Sequence, residues 1–263
     1  MFLMKSISID NFIVAPFLML LFAIIYYAVN GVFFSFFNFL FGINGRKNSS
    51  KRVDFTKSML TLMMWMLSFS LISLLPEFGF QPAFLSDIYS FWTIAIILIA
   101  FILIDFLEYW IHLFFHKSPF LWKFHRVHHE SFELNWSKAL RLSVVESFGT
   151  SLFINLFLFI LFGKEKLILL VILFGSKRFY GFFLHSNTDV AYGKAVLYFS
   201  SPRFHHWHHA TLTQNPLNLS TLFPIWDKIF GTYYGEGSEI PRIYGIRNSE
   251  DKLSQNGKTI QVI

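Results

Sequence analysis

Residues 93–116 read TIAIILIAFILIDFLEYWIHLFFH, an apolar run that ends in four polar side chains at regular spacing. Asp105, Glu108, His112 and His116 are separated by three, four and four residues, so on a helix they share one face. Polar side chains are costly in lipid, and they usually face a site or a partner there. The stretch therefore predicts a membrane-spanning helix whose end presents histidines to a site.

The rest of the chain is also apolar. Of its 263 residues, 54% are hydrophobic and only 14% are charged, against about 25% charged in an ordinary soluble domain. Residues 11–45 carry no charge, although about 20 helical residues suffice to cross a bilayer. The surplus fits a tilted helix, a bend at Asn30 and Gly31, or a short interfacial helix over residues 32–43. The run is much longer than the apolar part of a signal peptide, so we expect it to be retained.

Further apolar stretches cover residues 59–75, 89–104, 144–162 and 167–175. We expect the last stretch to be cut short by Lys177 and Arg178, so that it and its predecessor form a hairpin that either spans or re-enters. The predicted fold is all-α: a polytopic membrane helical bundle with about three full spans plus this helical hairpin. A cytoplasmic helical cap would carry a His-rich di-metal site.

The charges predict the orientation. Residues 46–57 hold five basic side chains, whereas residues 76–87 hold Glu77 and Asp87 and no base. By the positive-inside rule the first linker is cytoplasmic, which places the metal site and the C-terminus on the cytoplasmic side of an integral, multi-pass membrane protein. The net charge is +6, and the basic residues lie between apolar runs rather than on one amphipathic face. This distribution argues against nucleic acid as a partner.

The ten histidines fall in two windows, residues 112–129 and 185–209, where they recur at helical spacing. Imidazole suits iron, zinc, copper or nickel, and this many ligands exceed the need of one four-coordinate ion, so two ions are the natural count. The chain has no cysteine, which excludes thiolate ligands. Carboxylates or amides should accept the second ring N–H of the ligands. The candidates are Asp105, Glu108, Glu130, Asp189, Asp227, Asn187 and Asn218.

Three stretches carry a resemblance to a known family: DFLEYWIHLFFH at 105–116, WKFHRVHHE at 122–130 and SPRFHHWHHA at 201–210. Their order of HxxxH, HxxHH and HxxHH resembles the histidine boxes of the fatty acid hydroxylase / sterol desaturase superfamily. His185-Ser186-Asn187 is similar to an additional histidine element of that family, and IWDKIFGTYY at 225–234 is similar to its ending. The resemblance covers about residues 100–235.

The resemblance implies a division into an N-terminal transmembrane region (1–100), a catalytic domain (101–235) and a C-terminal tail (236–263). It also implies the catalytic metal ligands, with Asp189 and His206 as weaker candidates. The nine expected ligands are His112, His116, His125, His128, His129, His185, His205, His208 and His209.

By the same resemblance the chain would be an O2-dependent oxidoreductase, a membrane-bound di-iron oxygenase that hydroxylates or desaturates a C–H bond of a lipid. It would use two ferrous ions, although zinc could occupy a purified sample. Electrons would come from a separate reductase, ferredoxin or b-type cytochrome, because the sequence has no G-x-G-x-x-G fingerprint. The alternative is a non-catalytic membrane protein that binds or transports metal.

Overall fold

The described part of the chain forms eight α-helices and contains no β-strand. The computed structural model describes residues 9–43, 55–80, 92–163, 167–210, 216–241 and 243–246. Short 3-10 helices at Leu75–Phe78, Trp136–Leu140 and Gly193–Leu197 connect the main elements. The helices are α1 (Ile9–Phe41), α2 (Phe55–Leu74), α3 (Trp92–Lys117), α4 (Pro119–His129), α5 (Val144–Phe162), α6 (Leu167–Leu184), α7 (Pro202–His208) and α8 (Ile225–Phe230).

Four of these helices are long and apolar enough to cross a membrane, by length and composition. The candidate spans are Leu20–Phe41 in α1, the whole of α2, Leu98–Lys117 in α3 and the whole of α5. Large apolar side chains cover their outer faces, as at Val32 and Phe39 of α1, which are 74% and 82% exposed. An exposed apolar surface of this extent marks contact with lipid or with other proteins. Together with the spans, it describes an integral, multi-pass membrane protein.

Helix α1 runs without interruption from Ile9 to Phe41, so residues 32–43 do not form a separate helix. Asn30 lies in the second half of α1, where its Nδ2 donates to the carbonyl oxygen of Tyr26 at 2.7 Å. At Gly31 the helix passes close to the indole of Trp136, where an added Cβ would lie 3.3 Å from the ring. The missing side chain at Gly31 therefore allows close packing against the 3-10 helix that precedes α5.

The ends of α1, α3 and α6 and the starts of α2 and α5 lie at the same face of the bundle. The α1 end is tied there by the N–H of Ile43, which donates to the carbonyl oxygen of Asn187 at 3.2 Å. The start of α2 is tied by Thr61, whose hydroxyl donates to the carbonyl oxygen of Leu140 at 2.9 Å. Helix α3 ends at this face and α5 leaves from it. The hairpin of α5 and α6 thus returns the chain to the histidine face, as expected from sequence.

Helix α6 extends beyond the last apolar stretch of the sequence. Lys177 and Arg178 do not cut the helix short, because α6 continues to Leu184. The charge at Lys177 is accommodated inside the bundle by two carboxylates of α3, Asp105 and Glu108, at 2.7 and 2.5 Å. A buried charge is tolerated when it is paired and hydrogen-bonded in this way. The apolar pattern ended at residue 175, but the helix did not.

Candidate metal centre

The second and third histidine boxes, at 122–130 and 201–210, lie mainly on two short helices whose N-termini are capped by serine. In α4, Ser118 is the N-cap and its Oγ accepts from the backbone N–H of Leu121 at 3.4 Å, with proline at the first helical position. In α7, Ser201 does the same for Phe204 at 3.1 Å, again followed by proline. A serine cap with proline at the first position starts a helix at a fixed residue. The caps therefore fix which face each histidine cluster presents.

The nine expected ligands meet in two neighbouring groups. Within each group, one ring nitrogen per histidine lies within 4.8 Å of all the others. The groups adjoin, since the ring centroids of His129 and His209 are 4.6 Å apart. The five-histidine group consists of His112, His116, His125, His129 and His208, and the four-histidine group consists of His128, His185, His205 and His209.

The Nε2 atoms converge in both groups. In the five-histidine group, Nε2 of His125 lies 3.2 Å from Nε2 of His112 and of His116, and 3.1 Å from that of His129. In the four-histidine group, Nε2 of His185 has the same central position. It lies 3.2 Å from His128 and 3.1 Å from both His205 and His209.

Hydrogen bonds at the opposite ring nitrogen fix where the proton of several rings sits. Nδ1 of His112 faces the carbonyl oxygen of Leu219 at 2.9 Å, and Nδ1 of His185 faces that of Gly181 at 2.8 Å. A carbonyl oxygen only accepts, so each Nδ1 must carry the hydrogen. In a neutral ring, Nε2 then presents a lone pair to its group.

Converging lone pairs are stabilised by a cation between them. A proton joins only two nitrogens, whereas Nε2 of His125 is close to three others. Two imidazoles about 2.0 to 2.1 Å from one metal ion place their nitrogens about 3.0 to 3.4 Å apart, which matches the observed separations. Nε2 of His208 is buried with no hydrogen-bond partner among the described residues, as expected of a ligand atom. The residues of both groups therefore fit a bound metal ion.

Burial keeps the rings of His128, His185 and His208, which lie outside the spans, neutral. It lowers the pKa of His185 to about 4, partly offset by the hydrogen bond to the carbonyl oxygen of Gly181. Burial likewise lowers the pKa of His208 to about 3, against the opposing effect of the carbonyl oxygen of Leu217. The pKa of His128 is also well below its usual value, first through burial and then through the neighbouring histidines. Neutral imidazole is the form that binds metals, so these rings are prepared for ligation near neutral pH.

One carboxylate touches the histidines, and sequence reasoning missed it. Oε1 of Glu146 lies 2.7 Å from Nδ1 of His125, and both side chains are buried. Glu146 starts α5, where its backbone N–H is capped by Ser143 at 3.1 Å. The pattern Ser-x-x-Glu before an apolar run is typical of a helix N-terminus, which gives Glu146 an ordinary structural explanation. The sequence did offer a signal for Glu146: it is a carboxylate one turn into a candidate membrane span, and charged residues in spans are usually functional.

The loop before α8 supplies backbone acceptors for the five-histidine group. Besides the carbonyl of Leu219, that of Leu217 accepts from Nδ1 of His208 at 2.8 Å. Asp227 holds this loop, because its carboxylate accepts from the backbone N–H of Leu219 at 2.6 Å and of Ser220 at 2.9 Å. Asn218, which lies between Leu217 and Leu219, has a positive φ of 52°. Its side-chain amide donates to the carbonyl oxygen of Phe204 and accepts from the backbone N–H of Tyr234. Asp227 and Asn218 thus act on the histidines through the loop.

A cavity of about 120 Å³ adjoins the histidines on the side of the apolar helices. Histidines of both groups reach its wall, including His112 and His185. The rest of the wall is mixed: Phe115 and Phe182 are apolar, whereas Glu108 is charged. A cavity shared by both groups is where a reacting molecule would meet the metal ions.

Comparison with known proteins agrees with this geometry. A model of the fatty acid hydroxylase family matches residues 97–232, which contain every histidine of the two groups. The chain belongs to the fatty acid hydroxylase family. No solved structure matches it.

Several relatives of this fatty acid hydroxylase family member have names that describe oxidation of a lipid. An alkylglycerol monooxygenase of Caenorhabditis elegans is 32% identical over 155 residues, which are 57% of this chain and 29% of that protein. The ornithine lipid hydroxylase OlsE of Rhizobium tropici is 31% identical over 54% of this chain and 43% of its own. Methylsterol monooxygenase 1-1 of Arabidopsis thaliana is 22% identical over 63% of this chain and 55% of its own. The chain therefore spans less than two thirds of each of these relatives.

The two weaker ligand candidates lie apart from both groups. Asp189 pairs with Arg203 at 2.7 Å and is 40% exposed. Fully buried His206 lies between the carbonyl oxygen of Ser186, 3.0 Å from Nε2, and the hydroxyl of Tyr244, 2.9 Å from Nδ1. His206 thereby ties the segment around residue 244 to α7.

The remaining predicted carboxylate partners serve other contacts. Asp105 and Glu108 bind Lys177. Glu130 lies on the surface, 3.5 Å from Arg126 and 3.3 Å from Arg141. Within the described ranges, Glu146 is thus the carboxylate that contacts a histidine ring of the two groups.

Proposed function

We propose that this protein is an O2-dependent lipid hydroxylase with two metal ions at its histidine groups. The observation that carries the proposal is the convergence of nine ring nitrogens, one from each histidine, in two adjoining groups beside one cavity. The overall reaction takes one C–H bond, O2, two electrons and two protons, and it yields an alcohol and water. The relatives named as monooxygenases and hydroxylases favour insertion of oxygen over formation of an alkene.

The metal we propose is iron, held by His112, His116, His125, His129 and His208 at one position and by His128, His185, His205 and His209 at the other. When bound, iron would supply the reduction of O2 that a hydroxylase needs. Zinc is bound more tightly than ferrous iron by nitrogen ligands, so the metal content of a purified sample does not identify the working metal.

The protein's own part in the reaction is positional. Fixing a C–H bond next to a reactive centre removes much of the entropic cost of the encounter. Helix α3 carries proposed metal ligands and cavity wall, and α6 carries cavity wall and leads directly into His185. A lipid bound in the cavity is therefore held against the same frame as the metal ions. The apolar wall formed by residues such as Phe115 and Phe182 excludes water from the reacting carbon.

Electrons must reach the site from a separate carrier protein. The exposed side chains of Lys117, Lys123 and Arg126 form a basic surface on α3 and α4 close to the ligands. Opposite charge steers association between proteins, so an acidic carrier is the partner we propose here. By the positive-inside rule, the basic linker at 46–57 favours the cytoplasmic side for the histidine face.

A role in metal transport gains no support from the described spans. No ionisable side chain precedes Asp105 in α3 or follows Glu146 in α5. A conduction path needs polar groups across the membrane, and these helices concentrate theirs near the histidine face.

The test compares membrane lipids of cells that express the wild-type chain, His128→Ala or His206→Gln. We expect a lipid whose mass rises by one oxygen atom with the wild-type chain and with His206→Gln, which changes a buried histidine outside both groups. With His128→Ala the product should disappear. A product that persists in His128→Ala, or no oxidised lipid with the wild-type chain, would refute the proposal. Loss of two hydrogens instead would identify a desaturase.

A further inference from the structure

Helices α3 and α6 are joined by a charged cluster inside the bundle. Nζ of Lys177 lies 2.7 Å from Asp105 and 2.5 Å from Glu108. The guanidinium of Arg178 lies 3.6 Å from Glu108 and 4.5 Å above the ring of Trp65. Ionisable groups in membrane helices are costly and are usually functional, so the cluster requires an explanation beyond packing.

The cluster has a buried half and a half that faces the cavity. Asp105 is fully buried, and its carboxylate also accepts from the backbone N–H groups of Leu222 and Phe223, at 3.1 and 3.0 Å. That half fixes the loop near residue 222 to α3. In contrast, the side chains of Glu108 and Arg178 are 11% and 22% exposed, and both line the cavity beside the histidines. Their mutual contact is also the longest of the cluster.

The wall of the cavity selects which part of a lipid lies next to the histidines. This wall carries Glu108, Lys177 and Arg178 beside apolar residues such as Phe115 and Phe182. Charged side chains inside a bundle are stabilised by polar partners and not by an acyl chain. The part of the substrate next to the charged wall is therefore polar.

The charged wall is close to the ligands. Glu108 precedes His112 by four residues, which is about 6 Å along a helix. A group bound at Glu108 thus lies about one helical turn from the five-histidine group. The carbon presented to the metal ions is then a few bonds from the bound polar group.

The chemistry of the wall favours a neutral hydroxyl. A carboxylate accepts a hydrogen bond from a hydroxyl and a guanidinium donates one to it, so the pair satisfies both functions of the group. Two carboxylates balance the two cations of the cluster, and an anionic headgroup at Arg178 would meet Glu108. We propose that Glu108 and Arg178 bind a neutral, hydroxyl-bearing end of the lipid and direct oxidation to a C–H bond near it. This inference rests on the proposed function for the oxidation, but its binding step is independent of turnover.

The experiment measures lipid binding to the purified, metal-loaded full chain in nanodiscs. The probes are 1-O-hexadecylglycerol, the same lipid with both hydroxyls O-methylated, and hexadecyl phosphate. Two hydrogen bonds to the hydroxyls should make wild-type binding of the free diol about 10- to 30-fold tighter than binding of the methylated lipid. Equal affinity for the two, including no binding of either, would overturn the inference.

Two variants assign the preference to the wall. Arg178→Met keeps an apolar stem against Trp65 and removes the donors, and Glu108→Gln removes the charge but keeps an acceptor. Both should reduce the preference for the diol to about threefold or less. The matched control is Arg203→Met, which breaks an Arg–Asp pair outside the cavity, 2.7 Å from Asp189. It should retain the wild-type preference.

Metal content and melting temperature show whether each variant is folded.

The position of oxidation in the wild-type product supplies a second readout that needs no variant: it should lie within a few carbons of the hydroxyl. Oxidation far along the chain, or an undiminished preference in both variants, would overturn the inference. The inference would also be overturned if hexadecyl phosphate bound more tightly than the diol, and if that binding were lost in Arg178→Met and strengthened in Glu108→Gln. Oxidation of both glycerol lipids alike would refute the inference alone, whereas selective binding without oxidation of any lipid would refute the hydroxylase function.

Discussion

The two histidine groups have similar internal distances but different support. In the five-histidine group, His112, His125 and His208 have their Nδ1 atoms fixed by Leu219, Glu146 and Leu217. In the four-histidine group, Nδ1 of His185 is fixed by Gly181 of the helix that precedes it, α6. Nδ1 of His128 and of His205 are buried with no hydrogen-bond partner among the described residues.

This difference indicates unequal affinity for metal. A hydrogen bond at the second ring nitrogen orients an imidazole and raises its basicity, and a carboxylate does so more strongly than a neutral acceptor. The five-histidine group has one more ring and one carboxylate partner. We therefore expect it to bind its ion more tightly, whereas the four-histidine group depends more on packing.

The largest effect should come from removing the central ligand of each group. His125→Ala should abolish binding at the five-histidine group, and His185→Ala should abolish it at the four-histidine group, because each Nε2 lies near three others. Each variant should retain about one metal ion per chain. Oxidation should fall to about 1% of the wild-type rate or less, since losing a ligand exceeds the 10- to 100-fold effect of an outer partner.

Metal analysis and lipid turnover would check both variants, with His206→Gln as the control that should keep two ions. If His125→Ala and His185→Ala each lost both ions, the groups would not be separate metal positions. If either kept both ions, its group would be wrongly assigned.

Glu146→Gln should weaken the five-histidine group about 10- to 100-fold in metal affinity. The amide retains a hydrogen-bond acceptor for His125 but lacks the charge that supports the ligand. Stepwise chelation of the wild-type chain should release the ion of the four-histidine group first, and Glu146→Gln should bring the two release steps together. Glu130→Gln, which alters a surface carboxylate, should leave the order unchanged. Release of the five-histidine ion first from the wild-type chain would contradict the comparison.

The pH dependence of the metal-free protein should also distinguish the groups. An unfolded histidine has a pKa of about 6.5, whereas the folded values are about 4 for His185 and about 3 for His208. Below pH 6.5 these histidines are protonated in the unfolded chain but not in the folded one. Their full contribution to the free energy of unfolding is therefore present above pH 6.5, and it decreases as the pH falls. Each ring should contribute a slope of about 1.4 kcal/mol per pH unit. The contribution of His185 should end near pH 4, and that of His208 should continue towards pH 3.

Denaturation in detergent between pH 7 and pH 3 would measure this slope for the wild-type chain, His185→Gln and His208→Gln. Each variant should show a shallower slope than the wild type. Unchanged slopes in both would mean that these rings are protonated in the folded metal-free protein.

The smallest effect should come from Asp189→Asn. The contact with Arg203 is exposed, and pairs of this kind contribute about 0.2 to 1 kcal/mol. The variant should keep two metal ions and wild-type oxidation, with a melting temperature within a few degrees of the wild type. Loss of one ion would restore Asp189 as a ligand and add a fifth member to the four-histidine group.

The sequence predicted the features that depend on local pattern. Uncharged runs marked the spans, and Val144–Phe162 was placed with the bounds the structure has. Spacing of three and four residues predicted which histidines share a helix face, and the nine expected ligands do meet. That they bind metal stays a prediction.

Contacts between distant segments were not predictable in this way. Lys177 resembled the end of an apolar helix because its partners, Asp105 and Glu108, lie about 70 residues earlier in the chain. Glu146 resembled a helix cap, and the carbonyls of Leu217 and Leu219 have no side-chain signature at all. These are tertiary contacts, which spacing along one helix does not encode.

The ion pairs between α3 and α6 also constrain how the protein enters the membrane during synthesis. A carboxylate at the centre of an inserting helix costs about 2.5 to 3.5 kcal/mol, and α3 carries two before its histidines. Lys177 emerges from the ribosome 69 residues after Glu108, several seconds later at about 5 to 20 residues per second. During that interval α3 has an uncompensated charge, so its stable insertion depends on the arrival of α6. The membrane topology and the metal centre are therefore completed in the same step of assembly.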